Sequence, residues 1–321
     1  MKTKHSIFRS IVAICFAIFI ISGCKKKEEE APAPTPVPTT DGSTQQSQRA
    51  SDQSSFENET NQAMDDANSA LQGVSTTRGV QVYCNMTIDS SQKAIGKLTL
   101  NFNGLDCSGM KNRTGAIVIQ LPYNGSTVTT WSTAGATASL TFNNYTVTYV
   151  SNNKSIIFNG THSVTNVNGG GWLTLYLGTP IVHKVRADMQ LTFDDGTTRI
   201  WKAAKKRTLT YIGGVLKVTM AGDTVIGSYN NVAFWGVNRM GENFTVDVPT
   251  AFSYDMVNPG TNCTYKPLTG VIVHYGVAHV LTLTYGVDTN GNSVTPGTCP
   301  YGYKISWVDG QGATQQAVLS Y

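Results

Sequence analysis

The chain reads as an all-β protein: a large antiparallel β-meander, built as a sandwich or an open barrel, behind one short N-terminal helix. Three observations predict this. Segments such as GKLTLNFNG (96–104), GAIVIQLPYNG (115–125), MQLTFDDGTTRIW (189–201) and LKVTMAGDTVIGSYNNVAF (216–234) alternate apolar residues with Thr, Ser, Asn or Lys. That period of two gives one buried and one wet face, the pattern of antiparallel hairpins rather than of a parallel sheet. Asn-Gly, Asn-Asn, Asp-Gly and Gly-Gly punctuate the segments as turn signals. A turn roughly every 8–12 residues over 78–321 predicts about 16–20 strands. Finally, four cysteines lie within this stretch, as befits an exported, stapled β domain.

The elements before it follow in order. Met1 to Arg9 carries Lys2, Lys4 and Arg9 without an acid, and Ile11 to Ile21 is apolar throughout. A basic start followed by a run of this length is a secretory signal, too short to span a bilayer as a helix. Its end, Ile21-Ser-Gly-Cys24, resembles a bacterial lipobox, which implies residues 1–23 as a lipoprotein signal peptide and acylation at Cys24. Several acyl chains, each contributing about 0.8 kcal/mol per buried CH₂, make a stable anchor. In Bacteroidota lipoproteins, a charged, acid-bearing stretch after the cysteine resembles the signal for display on the outer face of the outer membrane. Lys25–Lys27 and Glu28–Glu30 fit that pattern loosely, so surface display is expected over a periplasm-facing anchor.

Residues 24–54 read as a tether. APAPTPVP (31–38) favours a polyproline II spacer, and the Ser/Thr/Gln-rich stretch to Ala50 favours disorder. Residues 55–77 read as a short helix and linker, with Ser54 and Glu57 as a capping box and Phe56, Thr60, Ala63, Ala67 and Leu71 at helical spacing. Gly73 can close that helix. Its thin apolar stripe predicts loose packing on the sheet, or a stalk. Residues 78–321 form the disulfide-stapled domain.

Cys15 leaves with the signal and Cys24 is acylated, so Cys84, Cys107, Cys263 and Cys299 remain, with three possible pairings. A repeat chooses among them. CNMTIDSSQKAIGKLTLNFNGLDC (84–107) and the stretch from Cys263 through VLTLTYG to Cys299 both run cysteine, strand, Leu-Thr-Leu, turn, cysteine, strand. The pairs are therefore Cys84–Cys107 and Cys263–Cys299, each contributing about 3–4 kcal/mol in the chain-entropy picture.

The order of charged linker, short acidic helix, C-x-M-T-I-D, LTLNFNGLDC, RTGAIVIQL, ASLTFNNYTVT and FNGTHSVTN resembles a group of uncharacterised Bacteroidota lipoproteins. The later C-x-x-x-P-L-x-G, LTLTYG and GTC belong to the same pattern. The resemblance covers most of 55–321, rests on turns, strands and cysteines, and lends no catalytic residue. The loop Val287–Pro296 is longer here than in the group.

Chemistry is sparse. Catalytic signatures such as G-x-S-x-G, H-E-x-x-H or G-x-x-x-x-G-K do not occur. Ser90–Lys93 and Ser151–Lys154 match S-x-x-K but sit in apparent turns. Asp194 and Asp195 lie in a turn where Asp serves the backbone. His274 and His279 are a weak metal pair, and the oxygens of Asp288, Asn290 and Asn292 lack the spacing of an EF-hand. No cofactor or metal is expected.

Residues 78–321 hold 17 basic and 11 acidic residues, and RIWKAAKKR (199–207) is the sharpest basic cluster. Trp201, Lys205, Lys206 and Arg207 are thus candidate ligand-binding residues toward anionic polysaccharide or head groups. Trp172, behind three glycines, is a candidate sugar-stacking ring. The resulting expectation is a non-enzymatic, outer-membrane lipoprotein of binding or structural role. Its partners would be the membrane, through its lipid, and a polysaccharide or other envelope component, but not nucleic acid. The alternatives are a glycan-binding module of a polysaccharide-uptake system and a hydrolase with an unrecognised site.

Overall fold

A computed structural model describes residues 43–71, 84–258, 263, 266–276 and 280–321. The signal segment, Cys24, the tether up to residue 42, Gly73 and His279 lie outside the described residues.

Fifteen strands form one antiparallel sheet: β1 Met86–Asp89, β2 Lys97–Leu105, β3 Lys111–Gln120, β4 Ala136–Tyr149, β5 Ser155–Asn166, β6 Ile181–Phe193, β7 Thr198–Ile212, β8 Val215–Gly222, β9 Thr224–Ile226, β10 Tyr229–Val237, β11 Asn243–Val257, β12 Pro267–Gly276, β13 Leu281–Val287, β14 Gly302–Val308 and β15 Thr314–Ser320. Neighbours in sequence are neighbours in space except at one row. There β8 and β10 lie end to end between β7 and β11: β7 pairs β10 through Ile200–Ala203 and β8 through Lys205–Ile212. The all-β meander is as expected, and of its two forms the single curled sheet is found rather than two stacked sheets.

The described residues hold fifteen strands, slightly fewer than expected of 78–321, and several turn signals lie inside strands. Asn143-Asn144 is a bulge: the register of β4 shifts between Phe142 and Tyr145, which sends both rings to the buried face. Gly115 on β3 makes room for it, since a Cβ there would sit 2.2 Å from the Asn144 carbonyl oxygen. Asn159-Gly160 likewise lies within β5. The outward positions of β4 are Thr137, Ser139, Thr141 and Asn143, and those of β6 include Lys184, Arg186, Asp188 and Gln190. The wet face is polar, as the period-two pattern requires.

Both disulfides form as the repeat indicates: Cys84–Cys107, separated by 23 residues, beside β1–β2, and Cys263–Cys299, separated by 36, between the β11–β12 loop and the segment before β14.

The helix differs most from expectation. α1 spans Ser43–Leu71, so the last residues assigned to a disordered tether (24–54) are helical from Ser43 onward, and Ser54 stands in mid-helix rather than at an N-cap. Nor does α1 lie loosely against the sheet. From Asp52 to Leu71 none of its residues is exposed. Side chains from β3, β4, β5, β7, β10 and β11 meet it, so the sheet curls around it as an open barrel around a rod. A helix covered on all sides needs no apolar stripe; it needs each polar group to find a partner. A second, one-turn helix, α2 (Trp172–Tyr176), joins β5 to β6.

Candidate functional site

β7 shows how the interior is made. Alternation places Arg199, Trp201, Ala203, Lys205, Arg207 and Leu209 on one face, and all six are buried. Three cations on a core-facing strand are costly unless each is paired and hydrogen-bonded. α1 supplies the partners. Asp52 meets Arg199 at 3.2 Å and Arg239 at 2.8 Å, Glu57 meets Lys205 at 3.2 Å, and Asp65 meets Arg207. Further along the sheet, Arg49 pairs with Glu242 at 2.6 Å, Glu59 with Lys111 at 2.7 Å, and Asp66 with Arg113. Every charged side chain of α1 is thereby used.

Hydrogen bonds complete the lattice. Tyr254 Oη lies 3.0 Å from Arg207, Tyr145 Oη accepts from Arg113 Nε at 2.8 Å, and the Trp131 indole N–H donates to Asn68 at 2.8 Å. Between the ion pairs sits an aromatic wedge. Phe56 stacks on Trp201 with centroids 4.1 Å apart, and Phe234 stands edge-on to it at 6.1 Å. The Arg199 guanidinium lies 3.9 Å from the Trp201 ring centroid.

Burial governs protonation here. It pushes the Asp65 carboxyl up to about 6 against the pull of Arg207, and it moves Glu57 up and Lys205 down, each toward its neutral form. Three histidines also face inward. Burial, aided by the nearby positive charge of Lys205 and Arg207 respectively, lowers His162 and His183 to about 3. Burial with Arg199 and Arg49 sets His274 well below its ordinary value. The ring nitrogens of His162 and His183 find no hydrogen-bond partner.

These histidines set a pH dependence whose sign is definite. Between about pH 6.5 and 3 the unfolded chain takes a proton on His162 and on His183 that the folded chain refuses. Their stabilisation is full above 6.5 and is lost as the pH falls. Asp65 works the other way between about 6 and 3.8, where only the folded form is protonated. His162→Phe, in the aromatic surroundings of Phe56 and Phe142, is therefore expected to shrink the stability lost between pH 6.5 and 5 by roughly 2 kcal/mol. Urea unfolding at the two pH values reads this directly, and an unchanged loss would show that His162 is protonated in the fold.

The structure redistributes the residues singled out in the sequence. Trp201, Lys205 and Arg207 are not a surface patch: they are enclosed against α1, because the strand's parity turns them inward. Of that cluster, Lys202 and Lys206 point out. Trp172 is half-buried and packed on the core. The glycines before it serve close contacts, Gly169 with Ser132 and Ala134 and Gly170 with Thr174, so they do not leave the ring bare. Ser151 and Lys154 are exposed in the β4–β5 hairpin. Asp288 accepts the backbone N–H groups of Asn290 and Asn292 and so holds a turn. Among the described residues no group of His, Cys, Asp or Glu is arranged to hold a metal ion.

Sequence reading missed two places. One is a crevice at the C-terminal end of α1, with room for about one water, lined by Met64, Leu71, Trp131, Leu140, His183 and Arg207. The other is the outer face of α2, where Leu173, Tyr176 and Leu177 are exposed. The spacing i, i+3, i+4 in WLTLYL was the available signal for the second. No protein-family model, curated protein or solved structure matches the chain.

Proposed function

We propose that this protein is a lipid-anchored lipoprotein of the outer membrane, held at Cys24 and facing the cell surface, with a non-enzymatic binding or structural role. The observation that carries this reading is the route of the chain. In sequence the charged, proline-rich stretch precedes α1, and α1 is keyed to the sheet along its length by all six of its charged residues. A pull reaching α1 would then fall on the middle of the domain rather than on an edge strand. A structural or display role needs that kind of mounting. Two disulfides agree with export to an oxidising compartment.

Metabolic labelling with an alkynyl fatty acid tests the anchor: label on the wild-type chain and none on Cys24→Ala is the expected result. Proteinase K on intact cells, with lysed cells as control, tests orientation. Degradation before lysis agrees with surface display, and survival until lysis would turn the domain toward the periplasm.

A further inference from the structure

The four most exposed large apolar side chains among the described residues are Leu173 (72 %), Tyr176 (70 %), Leu177 (72 %) and Ile212 (76 %). Three lie on α2 or at its end, and the fourth stands on the hairpin that α2 touches. The Tyr176 ring lies 5.7 Å from that of Tyr211, which joins α2 to the tip of the β7–β8 hairpin where Ile212 stands. α2 is not frayed outward: Leu175 is buried beneath it and Trp172 packs on the core, so its outer face is held apolar. The patch projects, since a Cβ added at Gly178, Gly213 or Gly214 beside it would meet nothing within 4 Å. A groove or flat face suits a folded protein partner; protruding apolar tips suit the boundary between head groups and acyl chains.

Charge points the same way. On the wet face of the strands that lead to the patch, Lys184 stands across from Lys206, six residues from Ile212, and Lys217 stands opposite Thr210, two residues from it. Asp223, which pairs with Arg186 at 2.5 Å and Lys184 at 3.8 Å, and Asp255, across from Lys217, offset this only in part. The surface is thus apolar at its tip and basic at its shoulder.

We propose that this end of the domain rests on a lipid leaflet bearing anionic head groups, with Leu173, Tyr176, Leu177 and Ile212 entering the interface and Lys184 and Lys206 facing the phosphates. The contact is separate from the Cys24 anchor. The Trp131 loop, which caps the C-terminal end of α1 through Asn68, is tied to the segment before α2 by the Gly170 N–H donating to the Ser132 carbonyl. The patch therefore lies at the end of the sheet opposite the one where the chain comes in at Ser43.

The mature chain from residue 24 carrying Cys24→Ser, which has no acyl group, tests this by co-flotation with vesicles. Phosphatidylcholine vesicles are compared with an equimolar mixture of phosphatidylcholine and phosphatidylglycerol. The expected result is binding to the mixed vesicles that weakens with salt. It should fall about tenfold or more in Leu173→Ser/Leu177→Ser/Ile212→Ser, with an unchanged thermal midpoint. Lys184→Glu/Lys206→Glu should lose the preference for phosphatidylglycerol. Absence of flotation with either vesicle overturns the proposal, as does binding that survives the triple serine variant. Self-association abolished by that variant, without vesicle binding, would overturn it in favour of a protein partner.

Discussion

Arg207→Met is expected to destabilise the protein by about 3–5 kcal/mol, and Asp65→Leu added to it should return much of that loss. Both side chains are enclosed, at 1 % and 4 % exposure. Removing the cation leaves the Asp65 carboxylate in a low-dielectric interior that already holds its pKa near 6. Removing both charges takes away the desolvation cost as well as the attraction. The single variant should also recover on mild acidification, because a protonated Asp65 no longer needs its partner. Urea midpoints of the two single variants and the double variant at pH 7 and pH 5.5 form the complete test. A cost under about 1 kcal/mol for Arg207→Met would mean that water reaches the pair and that α1 is not enclosed as described.

Phe56→Ala is expected to cost about 3–5 kcal/mol. Phe56 is fully buried, stacked on Trp201 and ringed by Phe158, His162 and Phe234. Few other large apolar side chains hold α1, chiefly Met64 and Leu71. The ion pairs fix how α1 is turned and how far it is inserted, while the aromatic wedge contributes most of the apolar burial at its middle. Phe56→Leu should recover more than half of the loss by refilling part of the space. A small effect of Phe56→Ala in thermal unfolding would show that the sheet can collapse onto the helix.

The sheet was legible because an antiparallel strand with one wet face writes its period into the residues, as Val185–Phe193 does without a fault. Cys84–Cys107 and Cys263–Cys299 were legible through a repeat. The helix was not. An amphipathic helix announces itself by an apolar stripe, whereas α1 has polar residues all around because its neighbours are polar too, and neither half of a buried ion pair looks buried by itself. Ser54–Glu57 imitated a cap for the same reason, since Glu57 was there for Lys205.

Two signals were nonetheless present. Arg199, Lys205 and Arg207 share a face with Trp201 and Leu209, which marks those cations as facing the core. The excess of base in 78–321 is matched by an acidic stretch at Asp52–Asp66 that can neutralise it. Joining them needs the fold, because partners such as Arg49 and Glu242 are 193 residues apart.

That separation has a consequence for how the chain reaches its native state. α1 is synthesised before every strand that encloses it, and its lattice closes only when β7 and the loop before β11 have arrived, 142 to 193 residues later. Contacts so distant in sequence demand loop closure before they repay it, so the domain should fold slowly for its size. A helix with a broad apolar face would be a liability through that wait, free to aggregate or to capture the wrong strand. One that is hydrophilic on every side can remain in water until its barrel is ready. Its polarity, costly in the finished core, protects the protein while it is still unfinished.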